Sequence, residues 1–353
     1  MKNDGLTVTG FMMHRRENIT PEWNNIDLGL TRDRAIIARL KSIFMGARLA
    51  ARSPELEQAD LIYARNLDML ITAFLAKRFR KLSTPVIYEC LDINRLMIRR
   101  DIIGRTLRWI EGRLLKRSKA LVTSSPGFLK HYFEKHHAGL YTAHLVENRL
   151  AAGFDYGARP VDVKTGLREK LRLGWVGMLR CQRSLDLMCE LAEAFPEQFE
   201  IRIHGIPGRT EIAVFEPEIE KRSNMIFAGR YKSPDDLAEI YANIDVVWAG
   251  DFMDAGYNSL WLLPNRIYEG GYYGVPAIAP KDTETGNWIE ERSTGFTLEE
   301  PLSETLPCLI DEILNSRARL VQANRASLAL ERETFVEPAG LIRSIILKAL
   351  DQY

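Results

Sequence analysis

The run Leu263-Pro264-Asn265-Arg266-Ile267-Tyr268-Glu269-Gly270-Gly271-Tyr272-Tyr273-Gly274-Val275-Pro276-Ala277-Ile278-Ala279 reads as a short helix feeding a buried strand. Pro264 suits the first helical turn, where its missing N–H costs nothing, and Gly274 suits the residue just past the end. The N-terminus of such a helix, where Asn265 and Arg266 follow Pro264, offers unpaired N–H groups and the positive end of the dipole, which together favour an anion. Gly270 and Gly271 each weaken the helix, so something is expected to approach its backbone closely. Glu269, on the same helix, is by itself compatible with an ordinary exposed position.

A second segment, Trp175-Val176-Gly177-Met178-Leu179-Arg180-Cys181-Gln182-Arg183-Ser184, links a buried strand to a helix. Arg180 and Arg183 stand at the helix start, where the dipole disfavours a cation, which argues for an anion between them. Two more loops fall at the carboxyl ends of strands, the place where open α/β sheets hold ligands. One is His204-Gly205-Ile206-Pro207-Gly208; the other is Trp248-Ala249-Gly250-Asp251 leading to Gly256-Tyr257-Asn258-Ser259.

These segments need a scaffold of alternating strands and helices, and the chain has that alternation throughout. In the first half, strands are expected at 6–12, 60–64, 85–90, 120–123 and 143–147. In the second they are expected at 173–177, 199–205, 225–228, 244–249, 275–279 and 295–298. Leu67, Leu70, Ile71, Phe74 and Leu75 recur at helical spacing before a basic end, 77–81. Beyond Leu302 the pattern is helical. The polar, Gly- and Pro-containing stretch 152–166 marks a boundary, so the expected domains are 1–160, 161–330 and a C-terminal helix within 331–353.

The chain has 353 residues, 46% hydrophobic and 27% charged, with a mean hydropathy of −0.18. That length allows two domains with full cores, and the composition excludes disordered, collagenous and integral-membrane chains. Cys90, Cys181, Cys189 and Cys308 lie too far apart for a zinc site or a disulfide scaffold. The net charge of +1 hides an asymmetry: residues 1–150 carry 26 Lys and Arg against 15 Asp and Glu, a net +11, which leaves −10 for 151–353. A basic half beside an acidic one suggests that one domain meets an anionic surface or substrate. The basic segment 99–119 has Ile103, Leu107, Ile110 and Leu114 on one helical stripe flanked by Ile102 and Trp109. It reads as either sheet cover or an interfacial helix on an anionic membrane. With no apolar run of spanning length, the expected location is cytoplasmic, peripheral on the inner face of the plasma membrane.

The Pro264 segment resembles the nucleotide-sugar half of the two-domain glycosyltransferases called GT-B, and in particular family 4, which includes bacterial exopolysaccharide and lipopolysaccharide enzymes. The family pattern is Pro-Asn-Lys-x-x-Glu followed by Gly-x-Pro-x-x-Ala. The resemblance implies that Glu269 accepts hydrogen bonds from the nucleotide ribose, a role suited to a carboxylate because it accepts two donors at once. Where relatives carry Gly-Arg-Leu-x-x-x-Lys-Gly, this chain has Gly177, Leu179 and Arg183, with Met178 and Ser184 departing from the pattern. By resemblance, Arg180 and Arg183 neutralise the diphosphate and the Gly205 loop lies near the donor base and sugar, while the loop with Asp251 and Asn258 takes the place of the family's acidic donor-sugar loop. Trp261 stands where relatives have a second Glu eight positions before the ribose Glu. In the first domain Tyr88-Glu89-Cys90-Leu91-Asp92 resembles a Tyr-Asp-x-His-Glu strand end, so Asp92 or Glu89 either serves the acceptor as base or orienting group, or merely caps the chain. Arg65-Asn66 and Ser124-Ser125-Pro126-Gly127 resemble further loops of the family, whose opening strand, loop and helix have no counterpart here.

The fold expected is thus α/β, two Rossmann-like domains facing a central cleft, with the C-terminal helix returning toward the first. The function expected is transfer of a sugar from a nucleoside diphosphate sugar, uridine-linked, to a saccharide or lipid-linked saccharide, with retained configuration. No metal and no cofactor beyond the donor are expected, because fixed cations and dipoles handle the leaving group, and no nucleic-acid partner is expected. A dehydrogenase lacks its Gly-x-Gly-x-x-Gly, a serine hydrolase its Gly-x-Ser-x-Gly, and a zinc enzyme its clustered ligands. A sugar-nucleotide epimerase of the same fold and a non-catalytic partner in polysaccharide assembly stand as alternatives.

Overall fold

The computed structural model describes residues 5–14, 23–31, 36–163, 169–208 and 211–351. Contacts divide the chain into one unit of 1–146 with 339–353 and a second of 147–338. These divisions fall at 146/147 and 338/339, earlier and later than the expected 160/161 and 330/331. The first shift has a physical cause. Tyr156 is buried in the second unit's core, and Arg159 donates to the carbonyls of Tyr272, Ser327 and Leu330, at 3.2, 2.5 and 2.5 Å, while lying over the Phe335 ring. Residues 164–166 of the expected boundary lie outside the described residues.

In the first unit, β1 (Gly10–His14) and β2 (Asn25–Leu30) form a parallel pair, followed by α1 (Ile36–Arg52) and α2 (Pro54–Glu57). Then β3 (Ile62–Arg65), α3 (Asn66–Arg80), β4 (Val86–Cys90), α4 (Arg95–Ile98), α5 (Ile102–Leu115) and β5 (Ala120–Thr123) alternate. A helical run follows as α6 (Pro126–Phe128), a π turn (Leu129–Phe133) and α7 (Glu134–His137), before β6 (Ala143–Leu145). Strands β3 to β6 make one parallel sheet in chain order. The strand expected at 6–12 begins only at Gly10, whose N–H bonds to Asn24 and so sets the register with β2. β2 was not among the expected strands, although Ile26, Leu28 and Leu30 alternate with Asp27 and Gly29 as a half-buried strand should.

α5 corrects the expected stripe. Gly104, Glu111, Gly112 and Leu115 are buried, and Leu107, Ile110 and Leu114 are half-buried. Only Ile103 of that stripe, with the flanking Ile102 and Trp109, is exposed. Among the described residues no helix is long and apolar enough to cross a membrane.

The second unit is built from β7 (Leu171–Leu179), α8 (Gln182–Ala194), β8 (Phe199–Pro207), α9 (Glu216–Glu220), β9 (Met225–Gly229), α10 (Leu237–Ala242) and β10 (Val246–Trp248). It continues through α11 (Asn258–Trp261), α12 (Asn265–Tyr272), β11 (Ala277–Pro280), α13 (Glu284–Arg292), β12 (Gly295–Leu298), α14 (Leu302–Asn315) and α15 (Ala318–Ala329). Its six-stranded parallel sheet has the order β12-β11-β10-β7-β8-β9. Successive strand residues serve opposite faces: Leu173, Trp175 and Trp248 belong to one buried cluster, Val176, Val247 and Ala279 to the other. The last helix, α16 (Leu341–Asp351), belongs to the first unit, where Ile342, Ile345, Ile346 and Ala349 cover Ile87, Ala120 and Val122.

Candidate functional site

The strand order of the second unit decides where a ligand crevice lies. From β7 the chain moves one way to β8 and β9 and the other way to β10, β11 and β12, so the order reverses between β7 and β10. Open α/β sheets bind ligands outside the carboxyl ends of strands at such a point. Gly177 and Gly205 sit opposite each other in the β7–β8 register. A Cβ on Gly205 would lie 1.8 Å from the Gly177 carbonyl oxygen, so only glycine fits there. Beyond them the chain leaves β7 through Arg180, whose guanidinium is 4.0 Å from the Asp251 carboxylate on the far side of the reversal. Asp251 Oδ1 in turn accepts from the Ser259 hydroxyl at 2.8 Å and the Met253 amide at 3.0 Å, which fixes the loop into α11. Asn258, the first residue of α11, is buried.

α12 stands beside this point. Pro264 is its N-cap rather than part of its first turn, Asn265 is exposed, and Arg266 is buried with its guanidinium 3.3 Å from the Trp248 carbonyl oxygen. Glu269 is only 6% exposed. Its Oε2 accepts from the Tyr241 hydroxyl at 2.8 Å, and Oε1 takes no hydrogen bond among the described residues. Burial raises the Glu269 pKa above the ordinary carboxylate value; Tyr241 and then Arg266 offset part of that rise. The close approach expected at Gly270 and Gly271 is supplied by the protein itself: a Cβ on Gly271 would strike the Phe335 ring at 2.2 Å, and one on Gly270 would crowd Val247 and the Val275 carbonyl.

Arg183 is directed elsewhere. In the first turn of α8 it donates to Glu300 at 2.6 Å and lies 4.4 Å over the Phe252 ring. The anion expected beside the two arginines is therefore, for Arg183, an internal carboxylate. A cavity of about 500 Å³ on the α8 side is lined by Gln182, Asp186, Glu190 and Arg222 among others, and Gly177, Asp251 and Glu269 are not in its lining.

In the first unit the β4 end is gripped from both sides. Asn66 Oδ1 accepts from the Leu91 amide and the Ser124 hydroxyl donates to the Leu91 carbonyl, each at 3.3 Å. That grip leaves Asp92 exposed. Glu89, by contrast, is buried on β4 and accepts from Tyr63 Oη at 3.0 Å and Arg65 Nε at 2.5 Å. The two acids considered together in the sequence thus have different environments. Unforeseen there is Glu111 of α5, 1% exposed, which accepts from Tyr88 at 2.8 Å, Tyr132 at 2.6 Å and His137 Nε2 at 2.8 Å. A charged residue on the sheet-facing side of an amphipathic helix was the available signal. Among the described residues no three His, Cys, Asp or Glu side chains cluster as metal ligands do.

No protein-family model matches the chain. The chain is 37% identical over 320 residues to the succinoglycan biosynthesis protein ExoL of Rhizobium meliloti, covering 87% of this chain and 78% of that protein. Among solved structures it resembles Anabaena HepE in complex with UDP and glucose, with a TM-score of 0.66, 17% identity and coverage of 94% and 86% of the two chains. It also resembles the sucrose-phosphate synthase of Thermosynechococcus elongatus, with a TM-score of 0.69, 14% identity and coverage of 97% and 88%. The lipopolysaccharide outer core galactosyltransferase WaaB matches with a TM-score of 0.55 and 13% identity over 94% and 85%. The chain therefore belongs to the family of the succinoglycan biosynthesis protein ExoL and has the two-domain fold of the GT-B glycosyltransferases.

Proposed function

We propose that this protein is a glycosyltransferase of exopolysaccharide biosynthesis that moves a sugar from a uridine-linked nucleoside diphosphate sugar to a saccharide or lipid-linked saccharide, with retention. The observation that carries the reading is Glu269: a nearly buried carboxylate beside the strand-order reversal, with Oε2 held by Tyr241 and Oε1 open to further donors. A ribose presents two hydroxyl donors, and a carboxylate held in one orientation accepts them at low entropic cost. Arg180 and the N-terminus of α12, with Arg266 and Asn265, hold the diphosphate. Arg183 assists less, because it must first give up Glu300. Gly177 and Gly205 admit the donor close to the backbone, and the Asp251 and Asn258 loop flanks its sugar. Anabaena HepE, solved with UDP and with UDP-glucose, supports the choice of uridine.

In the reaction the bond from the anomeric carbon to the β-phosphate oxygen breaks and the bond to the acceptor oxygen forms. The acceptor proton leaves, and the fixed cations take up the charge growing on the departing diphosphate. Acceptor-binding groups are expected on the first unit, with Asp92 as the exposed acid and Glu89 holding Arg65 and Tyr63 in place. For a lipid-linked acceptor the reading includes an anionic membrane met in part through 99–119, supported by exposed Ile102, Ile103 and Trp109. The test is release of UDP from UDP-sugars that requires a saccharide or lipid-saccharide acceptor and continues in EDTA. Isomerisation of the sugar without acceptor would instead indicate an epimerase, and absence of all nucleotide binding a non-catalytic partner.

A further inference from the structure

α1 turns two unlike faces outward and inward. Ile43, Ala47, Ala50 and Ala51 are buried, the last three against Leu28, Leu56 and Ala76. On the other side Leu40, Phe44, Met45 and Leu49 are 58, 41, 46 and 39% exposed, with exposed Lys41, Arg48 and Arg52 between them. A helix covering a sheet normally keeps polar residues outward, so four large apolar side chains there leave a patch that asks for a partner. Positions 40, 41, 44, 45, 48, 49 and 52 follow one stripe, about 18 Å long at the helical rise of ~1.5 Å per residue. The end of α3 continues it. The Phe79 ring meets that of Phe44 at 5.7 Å, edge on, and Arg78 and Lys81 are exposed beside it. The Arg48 guanidinium lies 4.6 Å over the Phe44 ring, and no acidic residue occurs between Arg34 and Ser53.

We infer that this outward face of α1, continued by Phe79, is the surface on which the protein rests against an anionic lipid bilayer. Apolar side chains interleaved with cations match that surface, because the former enter the boundary of the acyl region while the latter meet lipid phosphates. Charge argues against a second copy of the chain: a two-fold pairing of this face would bring the cations Lys41, Arg48 and Arg52 of one copy up against the same cationic face of the other. α5 offers less, since its exposed apolar residues are three. Of its arginines, Arg108 is engaged with the carbonyls of Met97 and Arg99. The inference does not depend on the nucleotide site and places any lipid-linked acceptor's membrane on the first unit.

The experiment is co-sedimentation of the full chain with phosphatidylcholine vesicles, with and without phosphatidylglycerol, at rising salt. Binding is expected only with phosphatidylglycerol and is expected to fall with salt. The variant Lys41→Glu/Arg48→Glu/Arg52→Glu should lower the partition coefficient on the order of 100-fold or more, given the worth of single cations at such a surface. Leu40→Ser/Leu49→Ser should lower it on the order of 10-fold. Both variants should keep the wild-type unfolding midpoint, as their side chains are exposed, while Arg105→Glu/Arg113→Glu should cost less than the α1 charge variant. Equal binding to uncharged vesicles, undiminished binding by the α1 variants, release by the α5 variant alone, or a wild-type dimer that the α1 charge variant splits would each overturn the inference.

Discussion

Glu111 and Glu269 are both carboxylates buried on a helix against a parallel sheet, and both are met by tyrosine hydroxyls. What separates them is how many donors they already have. Glu111 has three, spread over both oxygens, so its chemistry is spent inside the first unit on joining β4, α5 and the helical run 126–137. Glu269 has Tyr241 on one oxygen and stands where the strand order reverses. A buried acid is therefore no sign of function by itself. A buried acid with acceptor capacity left over, at a place where the backbone can admit a ligand, is one. The same division holds for the cations: Arg183 has Glu300 at 2.6 Å, whereas Arg180 reaches Asp251 only at 4.0 Å.

Glu111→Ala should have the largest effect. It strips the partner from Tyr88, Tyr132 and His137 at once, and removing one side of a buried charged network costs roughly 3–5 kcal/mol. Urea unfolding should show that loss; a change below about 1 kcal/mol would mean that the network is not what holds α5 to the sheet.

Asp92→Asn tests the exposed acid of the same unit. Its removal should leave UDP affinity within about twofold, while turnover falls by about 10²-fold or more if it is the base. If turnover stays, Asp92 is a surface carboxylate and the acceptor chemistry belongs elsewhere. Among the cations, Arg180→Ala should weaken UDP binding by about 1.5–3 kcal/mol, as expected for charge-assisted hydrogen bonds. Arg183→Ala should cost less than about 1 kcal/mol, because its exposed pair with Glu300 competes with the ligand. The reverse ranking, read by calorimetry, would exchange their roles.

Much of this was legible in the chain. The apolar strands and the Pro264 to Ala279 segment announced the second unit, because a sheet buried on both faces needs continuous apolar runs and a helix needs punctuation at its ends. β2 was less visible, since the alternate positions of its pattern are Asp27 and Gly29, both poor strand formers. The partners of Arg183, Gly271 and Glu111 were not legible at all. Glu300, Phe335 and His137 lie 117, 64 and 26 positions away, and no local pattern encodes a contact that only the finished packing creates. That is also why the two glycines of α12 announced a close approach without naming what approaches: the Phe335 ring at Gly271, and Val247 with the Val275 carbonyl at Gly270.

Calorimetry of UDP on the wild type and on Glu269→Gln over a range of pH tests whether Glu269 binds the ribose of a nucleoside diphosphate. Glutamine keeps an acceptor for Tyr241 and so spares the core, but it removes the charge. Wild-type binding should weaken as pH falls toward the raised pKa of Glu269, above the ordinary carboxylate value, because only the ionised form accepts both ribose hydroxyls. The sign for folding is opposite: a raised carboxylate pKa favours the fold below the unfolded value and loses that contribution as pH rises through the folded one. Glu269→Gln should bind UDP about 10- to 100-fold more weakly with no such pH dependence. Equal affinity of the two proteins at every pH would contradict the claim.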